Sequence, residues 1–270
     1  MNGRSDRDQD ASPPRLIQLE GGVNFRDIGG YRAAHRTVRW GKVFRTGVLC
    51  YFTAADHKAV DQLNIRAICD LRRAEERHRE PTQWTHSSAE GLSWEDGVSM
   101  PTIRAISATR PATGAGMRDS MVELYRALPT WMGPRIRGFF DCITTGRVPV
   151  VVHCAAGKDR TGIAIAVLLA ALGVDRDTII EDYLLTNAVG NFERFIEARK
   201  DSHLGLADAH QPLLTMSQDM REALFRADPD YLDAALVQID LEYGDMENYL
   251  ASCLSLDDRT IAQVRDILLE

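Results

Sequence analysis

The chain has 270 residues, a length that suits one elaborated domain better than two. Its 44% apolar and 26% charged residues are those of an ordinary globular protein with a sizeable core. A net charge of −7 argues against nonspecific nucleic-acid binding, which needs a basic surface to displace counterions, and no run of about 18 apolar residues offers an integral membrane span.

Residues 1–14, MNGRSDRDQDASPP, are polar and carry no apolar core of a signal peptide, so they read as a disordered lead-in to a single domain over 15–270. The segments KVFRTGVL around Val43 and IRAICDL from Ile65 read as short strands, with a helix, TAADHKAVDQL, between them. Thr53 is the expected N-cap of that helix, with Asp56 three residues on. Residues 80–116 are rich in Ser, Thr, Pro and Gly and read as a long irregular stretch. A helix, MRDSMVELYRAL, is expected to end near Pro129, and PRIRGFFDCIT follows Pro134. The run RVPVVVH from Arg147 has the unbroken apolar pattern of a strand buried on both faces.

Beyond residue 162 every pattern is helical. The segment IAIAVLLAAL is buried-helix material. Asp175 caps the next helix, Asp228 and Pro229 open another that closes near Gly244, and LDDRTIAQVRDILL ends the chain. Residues 199–226 mix apolar and polar side chains and are a candidate lid, with an ordinary packed helix pair as the alternative. Strand–helix alternation predicts an α/β fold.

The five cysteines, at 50, 69, 142, 154 and 253, are odd in number and form no CxxC. A disulfide framework or a zinc cluster is not expected, and a reducing cytoplasm fits best. Cys154 stands apart because of its surroundings, VVHCAAGKDRTG at 151–162. There a buried strand ends and a buried helix begins, so residues 155–159 must turn tightly at the strand's carboxyl end, the usual ligand crevice of an open α/β sheet. Amides at a helix N-terminus bind anions, and Gly157 and Gly162 permit close approach. A Cys154 thiolate would be stabilised in such a nest. Arg160 could fork two phosphate oxygens, Thr161 could donate to the sulfur, and His153 could brace the loop through backbone hydrogen bonds. Together these make a nucleophile aimed at a phosphorus held by amides and a guanidinium. Taken singly, each residue has a plain structural alternative. A phosphate-binding module without activity and a rhodanese-type sulfurtransferase are the competing functions.

HCAAGKDRTG closely resembles the signature loop of the cysteine-dependent protein tyrosine phosphatase superfamily, His-Cys-five residues-Arg-Thr/Ser-Gly. The Lys-Asp pair is similar to an atypical bacterial branch that includes phosphoinositide phosphatases. GGVNFRDIGGY at 21–31, FRTGVL at 44–49, CDLRRAEE at 69–76 and YLDAALVQIDLEYGDMENYL at 231–250 resemble further parts of that branch, so the likeness runs from about residue 16 to the end.

The resemblance implies a protein-tyrosine-phosphatase-like fold: a central, mostly parallel sheet flanked by helices, with a helical C-terminal extension. It implies phosphomonoester hydrolysis through a phosphocysteine, without metal or other cofactor, on phosphotyrosine and phosphoserine/threonine proteins or on phosphoinositides. Phosphate would lie against Ala155, Ala156, Gly157, Lys158, Asp159, Arg160 and Thr161, with Cys154 and Arg160 catalytic. The common mobile Trp-Pro-Asp loop is missing, since WMGP at Trp131 has no aspartate. The acid is therefore sought at Asp70, with Asp159 as the second candidate and a structural role for Asp159 equally open. Lys158 is expected to add charge at the pocket rim, Arg26 and Asp27 to fix the loop from beneath, and Arg45 to be a candidate second phosphate contact.

Overall fold

The computed structural model describes residues 15–84, 88–95, 97, 100–190, 196 and 216–270. The expected lead-in, 1–14, and residues 199–215 of the candidate lid lie outside the described residues.

The chain forms β1 (Arg26–Asp27), a small hairpin of β2 (Arg32–Ala33) and β3 (Arg36–Thr37), β4 (Val43–Thr46), α1 (Ala54–Asp61), β5 (Ala67–Asp70) and α2 (Ala74–Arg79). Then come β6 (Glu90–Ser93), α3 (Ile103–Ser107), α4 (Gly114–Trp131), α5 (Gly133–Thr144), β7 (Val150–His153) and α6 (Asp159–Leu172). The remaining described elements are helices: α7 (Arg176–Leu184), α8 (Thr186–Val189), α9 (Gln218–Phe225), α10 (Pro229–Tyr243), α11 (Met246–Ser252) and α12 (Asp258–Leu268). No helix among the described residues is long and apolar enough to cross a membrane.

The main sheet has the order β1-β4-β7-β5-β6, with β1 antiparallel to β4 and the other neighbours parallel. Side chains of a strand alternate between faces, and the register aligns them. Phe44, Val151 and Ile68 are cross-strand partners and share one apolar cluster with Phe25, Phe52 and Val60. Val43, Val150 and Ala67 align one step earlier and face the larger cluster, built with α4, α5, α6 and the C-terminal helices. Both faces are covered, which is why VVVH reads as an unbroken apolar run. Helix α6 is buried on nearly every side, as its sequence requires, and stops at Gly173 in the left-handed conformation, φ +87°.

The expected caps form. The Thr53 hydroxyl accepts from the Asp56 amide at 3.2 Å, and Asp56 accepts in turn from the Thr53 amide at 3.0 Å. Asp175 and Asp228 cap α7 and α10, and Asp257, not singled out in the sequence, caps α12.

One expectation is corrected. Residues 80–116 are not continuously irregular: they contain β6 and α3, and α4 begins at Gly114. Strand β6, EGLS, is an edge strand with mostly exposed side chains, so it carries no apolar run to betray it. Helix α4 ends at Trp131, near Pro129 as expected, with the proline inside its last turn. The proline costs the last turn one amide donor, and the Tyr249 hydroxyl donates to the Pro129 carbonyl at 2.9 Å.

The register also fixes what lies at the sheet's carboxyl edge. Thr46 and Asp70 both pair with His153, so β4, β5 and β7 end in one row. Gly47, Leu71 and Cys154 leave the sheet side by side, at the edge where open α/β sheets hold ligands.

Candidate active site

Cys154 follows the buried His153 and is itself buried, with 1% of its surface exposed. The loop from Cys154 to Lys158 then curls into α6. Gly157 adopts φ +68°, and a Cβ there would lie 2.6 Å from the Gly47 amide nitrogen and from the Thr46 carbonyl, so only glycine fits. The neighbouring segment is stitched to the loop by the Val48 amide, which donates to the Ala155 carbonyl at 2.9 Å. His153 Nδ1 lies 3.3 Å from the Cys154 carbonyl, as expected of a backbone brace, and burial pushes the imidazole pKa down.

Beneath the loop lies a buried polar network. The Gly157 carbonyl accepts from Asn24 Nδ2 and from Arg45 Nη2, each at 2.9 Å. Arg45 Nη1 donates to Asp182 Oδ2 at 2.5 Å. Arg26 Nε and the Tyr31 hydroxyl reach Asp182 Oδ1 at 3.2 and 2.9 Å. Burial alone would raise the Asp182 carboxyl, but Arg26 and Arg45 hold it well below the usual carboxylate range. Arg45 is therefore not a second phosphate contact: it is wholly buried, and its two terminal nitrogens serve Asp182 and the loop. Arg26 acts beneath the loop through Asp182, as expected. Asp27 instead braces its own turn, accepting from the Gly29 and Gly41 amides at 2.7 and 2.6 Å.

Arg160, in the first turn of α6, is forked by Glu76 of α2, with Nη1–Oε2 at 2.5 Å and Nη2–Oε1 at 2.7 Å. The Arg73 amide also donates to Glu76 Oε2, at 2.9 Å. Two of the guanidinium's five N–H donors are used, leaving three for a ligand. Burial opposes ionisation of Glu76, but Arg160 overrides it and pulls its pKa from 4.5 to about 2. A carboxyl depressed in the folded state contributes stability above its unfolded value and loses it as pH falls through the folded one. Glu76→Gln is therefore expected to make the melting temperature fall less steeply between about pH 4.5 and pH 2 than it does in the wild type. An unchanged slope in a pH series of thermal melts would mean that the carboxylate is not paired in solution.

Asp70, at the end of β5, is saturated. Arg72 donates from Nε to Oδ1 at 2.9 Å, from Nη2 to Oδ2 at 2.6 Å and from its amide to Oδ1 at 3.1 Å. The Thr82 hydroxyl donates to Oδ2 at 2.9 Å, and His153 Nε2 lies 3.5 Å from the same oxygen. Burial would raise this carboxyl; His153 and Arg72 hold it well below the usual range. Asp159 is different. Its side chain is a quarter exposed, and its Oδ1 accepts from the Tyr125 hydroxyl at 2.8 Å, which in turn meets the Tyr183 hydroxyl at 2.7 Å.

Lys158 does not stand at the rim. Its side chain is 2% exposed. Nζ donates to the Leu224 carbonyl at 2.6 Å and the Arg226 carbonyl at 3.4 Å, at the end of α9, and lies 3.2 Å from Asp159 Oδ1. A cation at a helix C-terminus satisfies carbonyls the helix cannot. Thr161 Oγ1 is buried without a hydrogen-bond partner among the described residues, so the expected donation to the Cys154 sulfur is not made.

The sequence reading did not single out Glu76, Asp182 or Asn24. Glu76 stands in CDLRRAEE and Asn24 in GGVNFRDIGGY, but nothing local ties either to a loop more than 70 residues away.

Comparison with known proteins agrees with this geometry. The sequence pattern of the tyrosine phosphatase family matches residues 17–270. A Cupriavidus necator protein assigned by name to the tyrosine-protein phosphatases is 33% identical over 250 residues, 90% of this chain and 84% of that one. The triple specificity protein phosphatase PtpB of Mycobacterium tuberculosis is 28% identical over 290 residues, 93% of this chain and 98% of its own. A tyrosine-protein phosphatase of Nostoc commune is 26% identical over 226 residues, 82% and 72% of the two chains. With a match over almost its whole length and a buried cysteine and a half-buried arginine framing one loop at the sheet's carboxyl edge, the chain belongs to the tyrosine phosphatase family.

Proposed function

We propose that this enzyme hydrolyses phosphomonoesters of proteins through a phosphocysteine intermediate, acting on phosphotyrosine and on phosphoserine/threonine. The observation that carries this reading is Cys154 beneath a loop whose Arg160 is held by Glu76 with three donors to spare. The Cys154 thiolate attacks phosphorus, the S–P bond forms, and the ester oxygen leaves with a proton from an acid. The resulting carboxylate then takes a proton from water as its oxygen attacks phosphorus. The S–P bond breaks, releasing inorganic phosphate and regenerating the thiolate. The loop amides and Arg160 stabilise the charge on the equatorial oxygens throughout.

Asp159 fits the acid better than Asp70. A general acid must be protonated near the working pH and reach the leaving oxygen. Asp70 is held ionised, with both oxygens occupied by Arg72 and Thr82. Asp159 opens α6 at the end of the loop and is a quarter exposed; the Tyr125 hydroxyl and the Lys158 ammonium both meet its Oδ1, which leaves Oδ2 for the leaving oxygen. Asp159→Asn is expected to slow an alkyl phosphate such as phosphoserine about 10²-fold or more, and p-nitrophenyl phosphate far less, because that leaving group needs no proton. Asp70→Asn should slow both alike. The reverse pattern would return the acid to Asp70.

The resemblance leaves a phosphoinositide substrate as the alternative, and an additional phosphate would call for a cation at the pocket rim, the place expected for Lys158. With the ammonium turned onto the Leu224 and Arg226 carbonyls, the phosphoprotein reading is the better supported. The relative named as a triple specificity phosphatase also favours breadth beyond phosphotyrosine. Acid quenching of turnover on a ³²P-labelled phosphotyrosyl peptide should trap label on Cys154. Turnover without any trapped label would overturn the covalent route.

A further inference from the structure

The Gly157 carbonyl takes both donors of the network beneath the loop. Asn24 and Arg45 are buried and approach it from below. A peptide unit is planar, and in the trans form the C=O of one residue and the N–H of the next point in opposite directions. Fixing the Gly157 oxygen downward therefore fixes the Lys158 N–H upward, into the concave side of the loop. We propose that Asn24 and Arg45 are positioning residues: a two-donor clamp that aims the Lys158 amide at the substrate's phosphoryl oxygens. This rests on the loop being the oxyanion site of the reading above.

The chemistry of the clamp allows only one arrangement. Asn24 Oδ1 accepts from Arg26 Nη1, and a guanidinium only donates, so the Asn24 amide nitrogen must face Gly157. Asn24 itself adopts φ +62°, a conformation asparagine tolerates better than other residues with a side chain. Arg45 cannot rotate away, because Asp182 holds its other terminal nitrogen. The network also carries charge. Arg26 and Arg45 share the single carboxylate of Asp182, all three essentially unexposed, which leaves one uncompensated positive charge under the loop. An anion above is the natural complement to a buried charge of this sign. Without the clamp, the 157–158 peptide can rotate and turn a carbonyl toward the phosphoryl group, exchanging attraction for repulsion.

The test uses tungstate, a phosphate mimic, and the full ¹⁵N-labelled chain. In the wild type, tungstate should move the Lys158 amide resonance. Asn24→Gly removes the side-chain donor while keeping the backbone conformation accessible. It should weaken tungstate binding and lower kcat each by about 10-fold or more, on the scale of losing one oxyanion donor, and abolish the Lys158 shift. Asn24→Asp, the closer substitution in size, should be worse still, because a carboxylate oxygen repels the Gly157 carbonyl. A purely packing role predicts the opposite order. Arg45→Lys supplies a further variant should either fail to fold: the shorter side chain lacks the planar fork whose two terminal nitrogens span Asp182 and Gly157. Folded variants with kcat and tungstate affinity within about twofold of wild type, or Asn24→Asp no worse than Asn24→Gly, would overturn the clamp. A wild type that binds tungstate yet turns over no phosphoester would overturn the phosphocysteine reading instead, with the clamp still read from tungstate affinity.

Discussion

Cys154→Ser is expected to eliminate turnover, by a factor on the order of 10⁴ or more, while leaving tungstate affinity within a few-fold of wild type. The nucleophile here is a thiolate, and a serine hydroxyl is not ionised at neutral pH, so the attack on phosphorus has no competent partner. The binding site survives because it is made of other atoms. The loop backbone is set by Gly157 and its contacts with Gly47 and Thr46, and Arg160 is set by Glu76. Serine is close to cysteine in shape, and the site is tightly enclosed, so the change neither opens a large cavity nor forces the loop apart. Single-turnover kinetics on a phosphotyrosyl peptide, with calorimetric titration of tungstate, separate the two quantities. Residual turnover near the wild-type rate would remove Cys154 from the chemistry; joint loss of turnover and tungstate binding would make it a structural residue of the loop.

Arg160→Lys is expected to lower kcat about 10²- to 10³-fold and to raise KM as well. Lysine keeps the charge but not the planar fork. In the wild type Glu76 binds one edge of the fork, so the group is oriented before substrate arrives. A lysine ammonium attracted to Glu76 has no fixed second edge to present. Because charge on the equatorial oxygens is redistributed as the transition state forms, the lost contact should weigh on kcat and not on binding alone. A change confined to KM would mean that Arg160 holds the ground state and transition state equally. Glu76→Gln provides the companion measurement: if the carboxylate orients the guanidinium, it should reproduce part of the kcat loss with Arg160 intact.

Much of this was legible in the sequence because it is local. The run VVVH needs only its own four side chains to mark a doubly buried strand, and IAIAVLLAAL marks its own buried helix. Thr53, Asp175 and Asp228 cap helices through atoms two or three residues away, so the caps follow from short patterns. The signature HCAAGKDRTG is likewise a local statement: a strand end, a tight turn and a helix start, with the cysteine, the glycine and the arginine already in place. Strands with little apolar content, such as EGLS, escaped because an edge position imposes no burial.

The tertiary structure decided which partner each polar group took. Arg160 and Glu76 are 84 residues apart, and only the fold brings the side chain from α2 to the guanidinium at the start of α6. Asp182 meets Arg26 and Arg45 across separations of 156 and 137 residues, and that contact turned Arg45 from a candidate phosphate ligand into a support under the loop. Lys158 looks like a surface cation in sequence; the end of α9 lies over it and takes its ammonium. Asp70 and Asp159 are both plausible acids as letters, and their neighbours differ: Arg72, Thr82 and His153 surround the first, while the Tyr125 hydroxyl and the Lys158 ammonium meet one oxygen of the second. A buried charge must find its counter-charge wherever the fold supplies one, and that choice is made by elements distant in the chain.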